Sequence, residues 1–199
     1  MVAEFLQVNP ITQDGAQRVR SAAPAFDVAI DRATGRIVLV WEQLSQGGLI
    51  PLRIVLSESV DGGATWSDAI HVDQTPSNSE LILEQAFVPS VEVSDDGTIG
   101  ITYYNFQNDV AGDSRADTDH WFIHCHPELA DCLERESWVD PVRLTGESFD
   151  MLTAIPANRG LFVGDYTGLA SSGSDFFSVF AVTRPGDKQN TLFVSIDGR

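Results

Sequence analysis

The stretch Ser59-Val60-Asp61-Gly62-Gly63-Ala64-Thr65-Trp66 decides the fold. Two short polar side chains beside a pair of glycines are the composition of a tight turn, in which side-chain oxygens fold back onto backbone amides and the glycines take positive φ. Trp66 is then expected to pack beneath the turn. Leu52-Arg53-Ile54-Val55-Leu56-Ser57 leads into it and Ile70-His71-Val72 follows, both rich in strand-forming residues.

Working outward, Ala25-Phe26-Asp27-Val28-Ala29-Ile30-Asp31, a turn at Gly35 and Arg36-Ile37-Val38-Leu39-Val40-Trp41 precede this hairpin. The same plan returns as Val88-Pro89-Ser90-Val91-Glu92-Val93, a Ser94-Asp95-Asp96-Gly97 turn and Thr98-Ile99-Gly100-Ile101-Thr102-Tyr103-Tyr104. Each is a strand, a tight turn and a neighbouring strand with β-branched and aromatic residues at period two. His120-Trp121-Phe122-Ile123-His124-Cys125 supplies the third strand of the second unit and Val142-Arg143-Leu144 its fourth. Both third strands lead toward a tryptophan, Trp66 or Trp138. Ser137-Trp138 therefore reads as the end of a second such turn, its Asp and glycines replaced by the Cys125 to Cys132 loop.

A third unit runs from Phe162-Val163-Gly164-Asp165-Tyr166-Thr167-Gly168-Leu169-Ala170 through Phe176 to Val182 and ends on Thr191-Leu192-Phe193-Val194-Ser195-Ile196, without a fourth strand. No stretch carries sustained helical periodicity, so the class is all-β. Repeating four-stranded units of roughly 60 to 75 residues are blades of a β-propeller. The expected organisation is a single domain, 1–199, with blade units at about 20–73, 85–145 and 160–199. Phe5-Leu6-Gln7-Val8, within 1–9, is left over as an orphan outer strand. Three blades cannot close a ring, which makes this a partial propeller.

Charge narrows the ligand classes. With 12 basic against 29 acidic residues the formal net charge is -17, a field that repels phosphate backbones and anionic membrane surfaces. Neither a nucleic acid nor a membrane is expected as a partner, and an anionic sugar would need arginines gathered locally. Met1 to Val8 lacks the basic and apolar regions of a signal peptide, so the export signal of a secreted parent is expected outside this chain. Cys125 and Cys132 could be bridged or free; a bridge implies an oxidising compartment.

Ser-x-Asp-x-Gly-x-Thr-Trp resembles the bacterial neuraminidase repeat, or Asp box. Together with Pro24-Ala25-Phe26-Asp27-Val28-Ala29-Ile30-Asp31, the Asp95-Asp96-Gly97 turn and the run from Phe162 to Leu169, it makes the chain similar to bacterial sialidase-like repeat proteins over most of its length. That resemblance implies a six-bladed ring, of which this chain is the C-terminal half, as a fragment or as a homodimer that completes the ring. It places the Ser59, Asp61, Gly63 and Trp66 turn between the two outer strands of a blade, away from the substrate, in a structural role.

Family sialidases use a tyrosine nucleophile activated by a glutamate, an acid/base aspartate and three arginines that grip the substrate carboxylate. Carried over, Tyr166 resembles the nucleophile, with a buried hydrogen-bonded inner-strand tyrosine as the alternative. Glu84 or Glu80 is its partner, and Arg20 and Arg159, at strand entries facing the funnel, grip a carboxylate. Asp165, beside Tyr166, and Asp27 are further substrate-binding candidates, with a strand-end hydrogen bond as the alternative for Asp27. The family's Phe-Arg-Ile-Pro motif and the acid/base aspartate that accompanies it are missing, so this chain alone is expected not to hydrolyse a glycoside. The rival reading is a non-catalytic propeller that binds carbohydrate or protein.

No cofactor is required by this chemistry. Asp109, Asp113, Asp117 and Asp119 crowd one loop, where oxygen ligands could hold calcium, and His124, Cys125, His126 and Cys132 offer zinc-type ligands. Strand alternation sends His124 and Cys125 to opposite faces, against a shared zinc. Gly-rich phosphate loops, Gly-x-Ser-x-Gly and His-Glu-x-x-His are absent from the sequence.

Overall fold

The computed structural model describes residues 9–12, 15, 17–20, 25–44, 52–76, 85–110 and 112–198. The orphan strand read at Phe5 to Val8 lies outside them, as do Glu80 and Glu84.

Three antiparallel sheets carry the fold. The first contains β1 (Phe26–Ile30), β2 (Ile37–Leu44), β3 (Leu52–Ser59) and β4 (Ile70–His71), hydrogen-bonded in that order. The second orders β5 (Ala86–Val93), β6 (Ile99–Asn105), β7 (Asp117–Cys125) and β8 (Val139–Arg143), and the short β9 (Phe149–Asp150) pairs with the start of β7. A hairpin of β10 (Ile155–Ala157) and β11 (Gly160–Phe162) leads to the third sheet, β12 (Gly168–Ser172), β13 (Asp175–Arg184) and β14 (Asp187–Ile196). Among the described residues the helical elements are single 3-10 turns at Arg135–Ser137 and Met151–Thr153. The protein is an all-β partial propeller.

Burial follows from the stacking. Every residue of β6 is buried, because the second sheet has a sheet against each face. β14 instead alternates between exposed and half-buried positions, because only one of its faces is covered. The aliphatic core of Val38, Ile54, Val91, Ile101 and Ile123 fills the space between the first two sheets. An aromatic core of Phe87, Tyr104, Phe122, Phe176 and Phe180 fills the next. Gly100 makes the second core fit: a Cβ there would run into the rings of Phe122 and Phe176, which pack 5.1 Å apart over it.

The third sheet departs from expectation at its start. Its first strand begins at Gly168, because Phe162 turns back to pair with Ile155 in the β10–β11 hairpin. Gly164, at φ 136, sits in the break between the two.

In the Ser59–Trp66 turn, Gly62 and Gly63 take φ of 74 and 88. The Ser59 hydroxyl accepts from the Gly63 amide at 2.9 Å and donates to Asp61 Oδ1 at 2.8 Å. The Asp61 carboxylate accepts the Thr65 amide at 2.8 Å and the Thr65 hydroxyl at 2.6 Å. The turn joins β3 to β4, the two outer strands of the first sheet. Trp66 is half-buried against the turn and donates its indole N–H to the Gly63 carbonyl at 3.1 Å. In the second sheet Cys125 and Cys132 form a disulfide, and Trp138, fully buried, donates to the Cys132 carbonyl at 3.0 Å.

Candidate functional site

The first strands of the three sheets lie side by side, β1 against β5 and β5 against β12. They run in one direction. Their exit ends meet where the Asp95 amide donates to the Gly173 carbonyl at 3.0 Å, and where Ser171 donates to Glu92 at 3.1 Å. Register places the Ser59 turn and the disulfide at this exit end, since Ile30 opposes Ile37 and Ile37 opposes Ser59, while Val93 opposes Ile99 and Ile99 opposes Cys125. The entry end, where sequence reasoning placed its candidates, is separated from it by the length of β1, roughly 15 Å at about 3.3 Å per residue.

At the entry end, the segment before β1 adds to the β10–β11 hairpin as a parallel bridge, Val19 beside Leu161. The Arg20 amide donates to the Leu161 carbonyl at 2.8 Å, and the Leu161 amide to the Arg18 carbonyl at 2.7 Å. This bridge carries Arg20 to Asp165, 145 residues away, as an ion pair of 2.9 Å. The guanidinium also lies 4.7 Å over the Phe162 ring, a cation–π contact that holds it in one orientation. Arg20 Nε, Asp165 Oδ1 and Thr167 Oγ1 are all buried and lack protein hydrogen-bond partners. Buried polar atoms left unmatched are costly, and here a donor on Arg20, an acceptor on its ion-pair partner Asp165 and the nearby Thr167 hydroxyl are all unmatched.

Tyr166 stands between Asp165 and Thr167, in the irregular segment ahead of β12, and is 83% exposed. The buried inner-strand alternative for this residue is therefore corrected: its neighbours turn inward and the ring turns out. Arg159 is also corrected. It occupies the turn of the β10–β11 hairpin at φ 78 rather than the entry of β12, and its exposed side chain makes no ion pair among the described residues.

Asp27 makes the strand-end bonds and is not free to face a channel. One oxygen accepts the Ser90 hydroxyl at 2.7 Å and the Val91 amide at 3.0 Å, and the other its own Val28 neighbour's amide at 2.8 Å. It ties β1 to β5. Beside it, Val88 has φ 52, a rare conformation for a β-branched residue, at the irregularity between Phe87 and Ser90. Buried Glu42 accepts the Val88 amide at 2.7 Å and holds this kink. Sequence reasoning missed Glu42 and the kink; Pro89 inside a strand was the available signal.

The loop aspartates are taken up by separate partners. Asp119 is enclosed by Asn108, Arg143, Thr145 and Ser148 as donors, and Asp117 pairs with Arg115 at 2.7 Å. Burial, with Asp113 and Asp117 nearby, raises the pKa of Asp109. Among the described residues no three of His, Cys, Asp and Glu converge as metal ligands, and the disulfide withdraws both cysteines from the zinc set. His120, sandwiched between Tyr104 and Phe180 at ring separations of 4.4 and 4.2 Å, is pushed down to about 3 by burial. No helix among the described residues is long and apolar enough to cross a membrane.

No protein-family model matches the chain, and no curated protein matches it. Solved structures do. The alpha-L-arabinofuranosidase Arb93A of Fusarium graminearum, solved with an iminosugar inhibitor, superposes with a TM-score of 0.57 at 14% identity, over 99% of this chain and 50% of that one. A Hadza microbial sialidase, Hz136, gives 0.53 at 11%, over 86% of this chain and 35% of that one. A GH43_12 protein from the capybara gut metagenome gives 0.51 at 11%, over 96% and 30%. The chain thus spans half or less of the length of these structures. At such identities the likeness is one of fold: this chain is similar to part of the glycoside hydrolase propellers.

Proposed function

We propose that this chain is half of a glycosidase-like propeller and holds a glycan terminus at the entry end of its first strands. The observation that carries the reading is the exposed Tyr166 ring set beside the Arg20–Asp165 pair, with buried polar atoms unmatched on both partners. An open aromatic face stacks on a sugar ring, and fixed donors and acceptors select its hydroxyl or carboxylate groups. Arg20 is the residue that would meet a sialic acid carboxylate, against the repulsion of the net charge. The reading extends to Tyr166 as nucleophile only in a ring that supplies an acid/base aspartate and further arginines. Asp27 is saturated by Ser90, Val91 and Val28 and does not offer that aspartate, which favours binding without hydrolysis by this chain alone. The disulfide supports an extracellular setting for the parent protein.

Calorimetric titration with arabinofuranosides and sialosides tests this. Binding is expected to fall at least tenfold in Tyr166→Ala and to persist in Tyr166→Phe, which keeps the stacking face. Equal binding by Tyr166→Ala would refute the site. Turnover of an aryl glycoside by this chain, lost in Tyr166→Phe, would refute the non-hydrolytic part and assign Tyr166 the nucleophile's role.

A further inference from the structure

We propose that a second ligand site, for a neutral sugar unit, lies between the outer strands of the second and third sheets. It shares no residue with the Tyr166 cluster and does not rest on that reading. A cavity of about 680 Å³ opens there, lined from the second-sheet side by Arg115, Glu147 and Asp150 and from the third by Arg184, Pro185 and Leu192. Register puts it at the entry end. In the second sheet Ala86 opposes Asn105, and Asn105 opposes Asp119 near the start of β7. In the third, Gly168 at the start of β12 opposes Val179, and β13 runs on from there to Arg184.

Both walls are fixed. Buried Asp119 accepts the Ser148 hydroxyl at 3.0 Å, Arg143 Nε at 2.8 Å and the Thr145 hydroxyl, so the loop that presents Glu147 is pinned on either side of it. On the other wall the β13–β14 register shifts between Val182 and Arg184, and period-two burial breaks, with Val182 and Thr183 both buried. Such an irregularity re-aims a strand side chain. The Thr183 hydroxyl donates to the Asp150 carbonyl at 2.8 Å and lies 2.7 Å from the Thr153 hydroxyl, which ties the bend carrying Arg184 to the second-sheet wall.

The ligand follows from what the walls leave open. The chain carries 12 basic against 29 acidic residues, yet the cavity is lined by two arginines and two carboxylates. Arg115 is paired with Asp117, and Asp150 accepts the Ala116 and Leu152 amides. Arg184 and Glu147, one on each wall, are exposed and make no ion pair or hydrogen bond among the described residues. A carboxylate ligand would be drawn to Arg184 and repelled by Glu147, and an ammonium would meet the converse. A neutral polyol suits both: the guanidinium fork donates to adjacent hydroxyl oxygens, the carboxylate accepts from adjacent hydroxyl groups, and Pro185 and Leu192 receive the C–H face of the ring. Because both polar groups stand in water, binding here is expected to be weaker than at Tyr166.

Amide chemical-shift mapping of the whole chain in the Tyr166→Ala background tests this, with xylobiose, cellobiose and lactose as neutral probes and digalacturonate as the anionic one. Saturable shifts are expected at Gly146, Glu147, Ser148, Arg184 and Gly186 for at least one neutral disaccharide, unchanged from those of the wild type. Arg184→Ala and Glu147→Gln, both at exposed positions, are each expected to weaken that binding about tenfold. Silence of these amides toward all three neutral probes, an undiminished response in both variants, tighter binding of digalacturonate, or a response that disappears with Tyr166 would each overturn the proposal. Wild-type shifts limited to Arg20 and the segment from Asp165 to Gly168 would overturn it while leaving the Tyr166 reading intact.

Discussion

The hairpins that close the exit end of the first two sheets occupy the same place and are built from different chemistry. In the first, a carboxylate does the work: Asp61 gathers the Ser59 hydroxyl and the Thr65 amide and hydroxyl, and Trp66 rests half-exposed on the Gly63 carbonyl. In the second, a disulfide joins Cys125 to Cys132, and Trp138 is buried with its indole N–H on the Cys132 carbonyl. The constant element is an indole donating to a backbone carbonyl of its own loop. What differs is how the loop is held, by hydrogen bonds that acid removes or by a covalent bond that a reductant removes. A blade needs the loop closed and the indole placed, and is indifferent to the means.

Breaking the two tryptophans separates them most. Trp138→Ala empties a buried site and is expected to cost about 3 to 5 kcal/mol. Trp66→Ala removes a side chain that solvent already reaches and is expected to cost about 1 to 2 kcal/mol. Denaturant melts measure both, and equal losses would mean that Trp66 is buried after all. Between these lies the disulfide. Its loop, closed over a sequence separation of 7, is short, so reduction is expected to cost about 2 to 3 kcal/mol. The loss is expected to appear undiminished in Asp61→Asn, because the two hairpins share no partner.

The smallest effect sharpens the comparison by pH. Hydrogen bonds from Thr65 and Ser59 hold Asp61 at about 2, below its ordinary 3.8. A carboxylate with a lowered folded pKa contributes stability above the unfolded value, and that contribution disappears as pH falls from about 4 to about 2. The melting-temperature gap between wild type and Asp61→Asn is therefore expected to be constant at neutral pH and to close over that window. Acid also acts through His120, which burial keeps neutral down to about 3, so that stability declines below its ordinary 6.5. His120 is common to both proteins and cancels in the difference. A gap that does not change with pH would show that the Asp61 carboxylate is not what holds the turn.

Local chemistry made the hairpins and most strands legible in the sequence. Serine, aspartate and two glycines in one turn specify its geometry, and period-two alternation specifies Ile37 to Trp41 and Ile99 to Tyr104 as strands. The third sheet was misread at its start because Phe162 to Ala170 is continuously strand-like, and only the pairing of Phe162 with Ile155 shows that it serves a separate hairpin. The candidate site was legible only as a set of residue types. Arg20 and Asp165 are 145 positions apart, and nothing near either announces the parallel bridge that joins them. Tyr166 was placed in a strand by the same misreading that lengthened β12. Asp27 was judged by its position at a strand start, but the partners that occupy it, Ser90 and Val91, belong to the next sheet.

The proposed division of the molecule into a ligand-holding entry end and a structural exit end is tested most directly by amide chemical-shift mapping during titration with an arabinofuranoside and a sialoside. The expected result is a set of shifts that saturates together at Arg20, the segment from Asp165 to Gly168 and the Val88 kink, with the amides of Gly63, Thr65, Cys132 and Trp138 unmoved. Shifts centred on the exit-end hairpins, or a saturable response that leaves Arg20 and Tyr166 untouched, would contradict it.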